Sequence, residues 1–480
     1  PFGDFHEFCQ RVDVTVLNKK TIEALIKAGG FDSMGHPRQA LLMVYEQIID
    51  QTVARRKEHE AGMMSLFGDG GDDDGGPTFD ERVAVGVNEF DKKQKLAFEK
   101  EMLGLYVSDH PLMGAEAARR ALADAGLAYG AVQQAYAGYV YGDSTSGQKA
   151  LYRVGLTGVP IINVNNNCST GSTALWLARQ AIESGAADCV LALGFEQMQP
   201  GALGTHFEDR ISPFAEFDRV TEEIVGHGEV PLALRYFGGA GQAHNRRYGS
   251  QLEDFAAIRA KASRHAAKNP LALFKREVTV EEVMASPVMW PGVMHRLMAC
   301  PPTCGAAAAL LVSEDFARKQ GLRRDVVIRA QAMTTDYAST FDAGDMMRVV
   351  GYDMTKAAAT QVYEAAAVGP EDIPVVELHD CFAQNELITY EALGLCGEGQ
   401  APRFIADGDN SYGGQVVTNP SGGLLSKGHP LGATGLAQCY ELTHQLRGTA
   451  EARQVAGARL GLQHNLGLGG ACVVTLYEAV

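Results

Sequence analysis

Basic residues are in deficit: Lys and Arg number 42 against 58 Asp and Glu, a formal net charge of −16. That balance argues against general affinity for nucleic acid or for an anionic membrane surface. The sequence also lacks any apolar run approaching membrane-spanning length, and it shows no secretory signal. Cysteine is present nine times, an odd number without framework spacing, and no Cys-x-x-Cys or His-x-x-x-His pair occurs. These absences exclude a disulfide scaffold and a zinc motif of ordinary spacing, and they fit a reducing, cytoplasmic setting. At 480 residues the chain can hold two or three domains. It begins with Pro1 rather than methionine and reads as a fragment at that end.

What is there centres on residues 161–175, where an apolar strand ends in Asn165-Asn166-Asn167 and a single cysteine, Cys168, precedes the helix-like Gly171-Ser172-Thr173-Ala174-Leu175. Asparagine tolerates the left-handed conformation that a sharp strand-to-helix turn requires. A thiol at a helix N-terminus lies in the positive end of the helix dipole beside unpaired N–H groups, which favours the thiolate and leaves donors for an oxyanion. Burial as a structural residue is the commoner fate of cysteine. The short polar turn around Cys168 points instead to a nucleophile.

Residues 419–438 form a second turn of the same design. Gly428 and Pro430 hold His429 between them, glycines line the turn, and a small-residue helix follows. A histidine that cannot swing suits a base aimed at one partner. Asp372 to Glu386 reads as a strand delivering His379, Asp380 and Cys381 to a helix start, and Gly461 to Gly470 carries His464 in a glycine-rich turn before the apolar strand Ala471 to Tyr477. His379 and Cys381 could suggest a metal, but without a zinc-spaced partner acid/base chemistry is the better reading.

Residues 115–480 resemble the thiolase superfamily, specifically its sterol-carrier-protein-type branch. The resemblance rests on Gly142-Asp143-Ser144-Thr145, Asn165-Asn166-Asn167-Cys168-Ser169, Leu191-Ala192-Leu193-Gly194-Phe195-Glu196, His379-Asp380-Cys381-Phe382, Gly428-His429-Pro430 and His464-Asn465, in the family's order. It implies a duplicated α/β thiolase fold of five layers, αβαβα. The halves would be residues 115–322 and 323–480, with a loop domain inserted over about 199–300. It implies a site in which His429 takes the thiol proton, Cys168 forms an acyl-enzyme with a 3-oxoacyl-CoA, and Cys381 protonates the departing enolate. His379 would hold the thioester oxygen, and the turn of His464 and Gly467 would serve the oxyanion of the acyl step. His464 stands where most thiolases carry a second cysteine, and Cys472 reads as packing. Cys304 precedes Gly305 where the family commonly has an acid. The products would be acetyl-CoA or propionyl-CoA and a shortened acyl-CoA. Coenzyme A enters as substrate, with no bound cofactor and no metal. A homodimer or dimer of dimers is implied. A thiolase-fold lyase or condensing enzyme, or an inactive fusion, stays open.

Residues 1–114 resemble a non-catalytic segment of the bacterial DNA polymerase III alpha subunit, through Asn18-Lys19-Lys20, Glu23 to Asp32 and Glu99 to Leu112. Helices are expected over Asn18 to Gly30, Arg38 to Glu60 and Phe90 to Glu101, with a disordered acidic stretch over Gly68 to Asp80. Met63 to Phe67 stands where that family carries a sliding-clamp peptide. Its leading glutamine is Met63 here, so clamp binding is not expected, nor is nucleic-acid binding. The join near Gly114 lacks the apolar strand with which thiolases open. Leu103 to Val107 either fills that edge slot or leaves it open.

Overall fold

The computed structural model describes residues 2–60, 82–103, 110–198, 207, 209–228 and 230–480. The chain divides into two compact units, Pro1–Asp109 and His110–Val480. The expected join at Gly114 therefore lies inside a helix, His110–Ala125, which runs through it. The acidic stretch, the Met63 to Phe67 segment and residues 104–107 of the suspected edge strand lie outside the described residues.

The described part of the first unit is helical. Asn18 accepts from the N–H groups of Lys20 and Thr21 to start the helix Lys19–Ala28, and Gly29, at φ 85°, closes it. Together with the helices Phe5–Arg11 and Arg38–Glu60 it builds a small core around Phe5, Ile22, Ile26, Leu41 and Ile48, and the helix Lys92–Leu103 packs against it. Arg38 is buried in that unit and bonds Asp32 and Glu99.

The second unit contains eleven strands among its described residues. They are β1 (Gln134–Gly138), β2 (Ile161–Val164), β3 (Cys189–Glu196), β4 (Val288–Trp290), β5 (Met294–His295), β6 (Gly305–Val312), β7 (Val326–Thr334), β8 (Val375–Glu377), β9 (Val417–Thr418), β10 (Leu460–Gly467) and β11 (Ala471–Ala479). One sheet has the order β2-β1-β3-β6 and the other β9-β8-β10-β11-β7. The two repeat one topology: β1 is parallel to β2 and β3, and β6 is antiparallel to β3. Likewise β8 is parallel to β9 and β10, and β11 is antiparallel to β10. In the second half β7 pairs the far side of β11. The equivalent side of β6 has no strand among the described residues.

Between the sheets lie the helices Thr170–Glu183 and Thr434–Leu446, which touch each other and both sheets. Their apolar faces, including Ala174, Leu175, Ala178, Leu436 and Leu442, meet Val190, Ala192 and Val375. The helices His110–Ala125 and Tyr352–Ala366 cover the outer faces. Helix, sheet, helix pair, sheet and helix make the five layers expected. Between β3 and β6 the insertion carries Ala215–Val225, Leu232–Tyr248, Leu252–Ala267 and the β4–β5 hairpin. Of its methionines, Met294 and Met298 fill the core. Among the described residues no helix is long and apolar enough to cross a membrane.

Glycine permits the closest approach in this stack. A Cβ on Gly194, in the middle of β3, would stand 2.2 Å from the carbonyl oxygen of Gly432, in the loop that carries His429. Replacing Gly194 by Ala is therefore expected to cost about 1–3 kcal/mol of stability through forced backbone shifts. Urea unfolding measures it, and an unchanged midpoint contradicts the account.

Candidate active site

The turn after β2 takes the shape that its asparagines allow. Asn167 sits at φ 51°, in the left-handed region. Its carbonyl accepts from the N–H and hydroxyl of Thr170, while Asn166 accepts from the N–H and hydroxyl of Ser169. This fold-back leaves Cys168 just before the helix Thr170–Glu183. His429 comes from the other half. A short π-helix, Gly423–Lys427, ends at Gly428 with φ 113°, and the helix Thr434–Leu446 follows. His379 and Cys381 follow the end of β8.

Three side chains from these separate loops converge. Donor atoms of Cys168, His379 and His429 all lie within 4.8 Å of one another. The two imidazoles meet edge to face with centroids 5.0 Å apart. His379 and His429 are only 1 % and 5 % exposed. Sequence spacing offered no metal motif. The folded chain nevertheless groups one thiol and two imidazoles, from positions 168, 379 and 429.

Hydrogen bonds fix what each imidazole can do. The Thr434 hydroxyl donates its one proton to the Pro430 carbonyl, at 3.0 Å, so it accepts from Nδ1–H of His429, at 2.7 Å. Nε2 of His429 then carries a lone pair, and it is buried without a partner. His379 is wired the other way. Its Nδ1 faces the Nδ2 of Asn465, a donor, at 3.1 Å. The hydrogen of His379 therefore sits on Nε2. One ring is arranged as a base and the other as a donor.

Burial dominates the titration of the site. It pushes the Cys168 thiol up to about 12, with Glu196 adding to the rise, while the N–H groups of Cys168 and Leu468 pull the other way. The thiolate expected from the helix N-terminus is therefore not the resting form: desolvation outweighs the dipole. Burial likewise lowers His429 to about 3, with help from Lys427. It lowers His379 well below its ordinary value, reinforced by His429 and His464. Cys381 is raised well above the usual thiol range by burial, then by Cys300, Cys168 and Asp380.

His464 and Gly467 lie in β10, not in a turn. His464 is fully buried, with Nε2 3.1 Å from the Thr355 hydroxyl and Nδ1 accepting weakly from the His379 N–H at 3.4 Å. It supports the backbone of His379 and belongs to no donor group with Cys168. Gly467 packs on the turn that carries Cys168, where a Cβ would lie 2.3 Å from the Asn166 carbonyl oxygen. The neighbouring Asn465 reaches the site itself. Its Nδ2 donates to the Cys168 carbonyl at 3.2 Å, and its Oδ1 accepts from Ser172 at 2.8 Å. The turn that follows, Leu468 to Gly470, supplies the N–H that meets the Cys168 sulfur.

Asn465 was legible only as the companion of His464, and Thr434 not at all. Cys300 also escaped sequence reasoning, because only the fold brings the end of the insertion here. Its N–H donates to the Cys381 carbonyl at 2.9 Å, beside a bridge between Ala299 and Phe382, and Pro302 bridges to His429. Two carboxylates tie the loops together. Glu196 accepts from the N–H groups of Val140, Tyr141 and Gly432, each at 3.0 Å. Asp380 accepts from Leu424 and Leu425 at the start of the π-helix.

Comparison with known proteins adds the lineage. The family described as "Thiolase, N-terminal domain" matches residues 104–315, and "Thiolase C-terminal domain-like" matches residues 336–476. A "Helix-hairpin-helix motif" matches residues 1–41. "Sterol carrier protein 2" of Oryctolagus cuniculus is 55% identical over 372 residues, covering 77% of this chain and 68% of that protein. "Benzoylsuccinyl-CoA thiolase subunit BbsB" of Thauera aromatica is 35% identical over 341 residues, covering 70% and 84%. The solved structure "Ltp2-ChsH2(DUF35) aldolase" superposes with a TM-score of 0.65 at 24% identity, over 77% of this chain and 93% of that one.

The raised thiol yields a test without substrate. Well below its pKa the thiolate fraction grows about tenfold per pH unit. Alkylation of Cys168 by iodoacetamide is therefore expected to accelerate by about that factor per unit from pH 7 to 9. A plateau below pH 8, read by mass spectrometry of the Cys168 peptide, would show a helix-activated thiolate instead.

Proposed function

The chain belongs to the thiolase family, and from that premise we propose that its second unit is an acyltransferase that cleaves 3-oxoacyl-CoA with free CoA. The observation that carries the reading is the convergence of the Cys168 thiol, a base-configured His429 and a donor-configured His379. Cys168 is protonated at rest, so the reaction begins with proton transfer to Nε2 of His429 as the sulfur attacks the 3-keto carbon. The N–H groups of Cys168 and Leu468 are the donors nearest the sulfur and serve the oxyanion of this acyl step.

Breaking the bond between C2 and C3 leaves the acyl group on Cys168 and an enolate of acetyl-CoA, or of propionyl-CoA from a 2-methyl substrate. Nε2–H of His379 meets the enolate oxygen. Cys381 delivers the proton, a role that fits a thiol held in its protonated form. The thiolate left on Cys381 is correspondingly basic and takes the proton of the incoming CoA thiol. That CoA then displaces the acyl group from Cys168, whose departing thiolate recovers the proton held on Nε2 of His429. Every step runs on side chains and CoA, without a bound cofactor.

We read the first unit as standing outside this chemistry, in keeping with its resemblance to a non-catalytic polymerase III alpha segment. We also read the enzyme as a cytoplasmic homodimer or dimer of dimers. Strand β2 offers an outer edge with Ile162 exposed, and sedimentation of the full chain tests the assembly; a monomer at micromolar concentration would refute it.

The decisive measurement is CoA-dependent loss of 3-oxoacyl-CoA absorbance. Cys168→Ala is expected to abolish it, and surviving activity would refute the assigned nucleophile. Cleavage that needs no CoA would favour a retro-aldol lyase. Cys381→Ala separates the two thiols. It is expected to lower carbon–carbon cleavage about 10²- to 10⁴-fold. Exchange of labelled CoA into a saturated acyl-CoA, which needs only Cys168 and His429, should persist. Equal loss of both would remove Cys381 from the enolate step.

A further inference from the structure

We infer that the group formed by Cys168, His379 and His429 is also a seat for a thiophilic divalent cation, with zinc the fitting ion, whose binding switches the site off. The inference stands on the donor set and does not require the acyltransfer reading. One sulfur and two imidazole nitrogens, drawn from three loops, lie within 4.8 Å of one another. Both imidazoles are more than nine-tenths buried, and Nε2 of His429 is buried with no partner of its own. A tetrahedral zinc ion with one thiolate and two imidazoles needs donor separations of about 3.4 to 3.6 Å. The triangle therefore closes by up to about 1.4 Å. Three protein ligands leave the fourth position to water.

The step is an exchange without redox change. The Cys168 S–H bond breaks, a sulfur–metal bond forms, and one proton leaves to solvent. Zinc then occupies the sulfur lone pair that would attack the substrate and the Nε2 lone pair that would take the proton. Nothing of the proposed nucleophile and base remains free.

The surroundings favour the metal at one imidazole and oppose it at the other. Metal-binding histidines donate their second ring N–H to an acceptor. His429 already does so, through Nδ1–H to Thr434. His379 does not, because Asn465 presents an N–H to its Nδ1. Zinc on Nε2 of His379 requires the ring proton to move to Nδ1 and the Asn465 amide to turn its oxygen toward it. The bonds from Ser172 to Asn465 and from Asn465 to the Cys168 carbonyl resist that turn. Asn465 thus acts as a positioning residue. It keeps His379 a hydrogen donor and sets how tightly the metal can hold.

The test uses the full chain with cobalt(II) as a spectroscopic stand-in, followed by displacement with zinc. Cobalt is expected to give a thiolate charge-transfer band at one equivalent, with zinc displacing it and abolishing reactivity of Cys168 toward iodoacetamide. Affinity should rise about tenfold per pH unit below neutrality, reflecting the released proton. Cys168→Ser should remove the band, and Asn465→Asp, whose carboxylate accepts from Nδ1–H of His379, should tighten zinc binding about 10- to 100-fold. No band, an equal band in Cys168→Ser, or unchanged zinc affinity in Asn465→Asp would each overturn the assignment. A chain that thiolyses 3-oxoacyl-CoA but gives no band loses only the metal seat. One that shows the band without turnover supports the seat and counts against the acyltransfer reading alone.

Discussion

The site depends on one contact, in which the N-terminal turns of the two central helices meet through glycine. A Cβ on Gly435 would lie 2.1 Å from the Ser172 hydroxyl and 2.3 Å from its backbone nitrogen. A Cβ on Gly171 would lie 2.9 Å from the Gly432 carbonyl oxygen. Neither clash could relax without moving backbone, so the helices approach this closely only because those side chains are missing. Cys168 lies just before one helix, and His429 lies in the turn that leads into the other. Their meeting is a direct consequence of how the two halves pack. Glu196 secures it by accepting N–H groups from the segment after β1 and from Gly432 at once.

The same packing buries Cys381 and both imidazoles and leaves Cys168 only partly exposed, and that burial decides the resting chemistry. Burial raises the Cys168 and Cys381 thiols and lowers the His379 and His429 imidazoles. All four groups therefore rest uncharged, and net charge cannot assign their roles. Hydrogen-bond direction assigns them instead. Thr434 leaves His429 with a free lone pair, whereas Asn465 leaves His379 with a free hydrogen. Two histidines a few ångströms apart thus present opposite hydrogen-bonding capacities. A metal that demands lone pairs from both must rewire the second.

The sequence was legible where chemistry is local. Asn167 in the left-handed region, the framing of His429 by Gly428 and Pro430, the helix started by Asn18 and closed by Gly29, and the repeated strand–turn–helix pattern all follow from short-range geometry. It was less legible where an outcome is a balance over distance. The helix dipole at Cys168 suggested a thiolate, but desolvation, which depends on everything packed around the sulfur, reverses that. His464 looked like a turn residue because glycines follow it, yet pairing with Val474 of β11 extends the strand through it. Cys300 could not be anticipated, because backbone pairing with Cys381 across 81 positions is a tertiary event.

By itself the sequence determined which residues could react and the turns that hold Cys168 and His429, because side-chain identity and a few left-handed or glycine positions settle local conformation. The doubled α/β plan came with the thiolase resemblance carried by the motifs around Cys168, His379, His429 and His464, and two such halves bury their apolar faces against each other. Only the tertiary structure decided which reactive groups share a site, which nitrogen of each imidazole holds its proton, and that the thiols rest protonated. Those outcomes depend on contacts between loops far apart in the chain and on the exclusion of water around them, and neither is fixed by nearest neighbours.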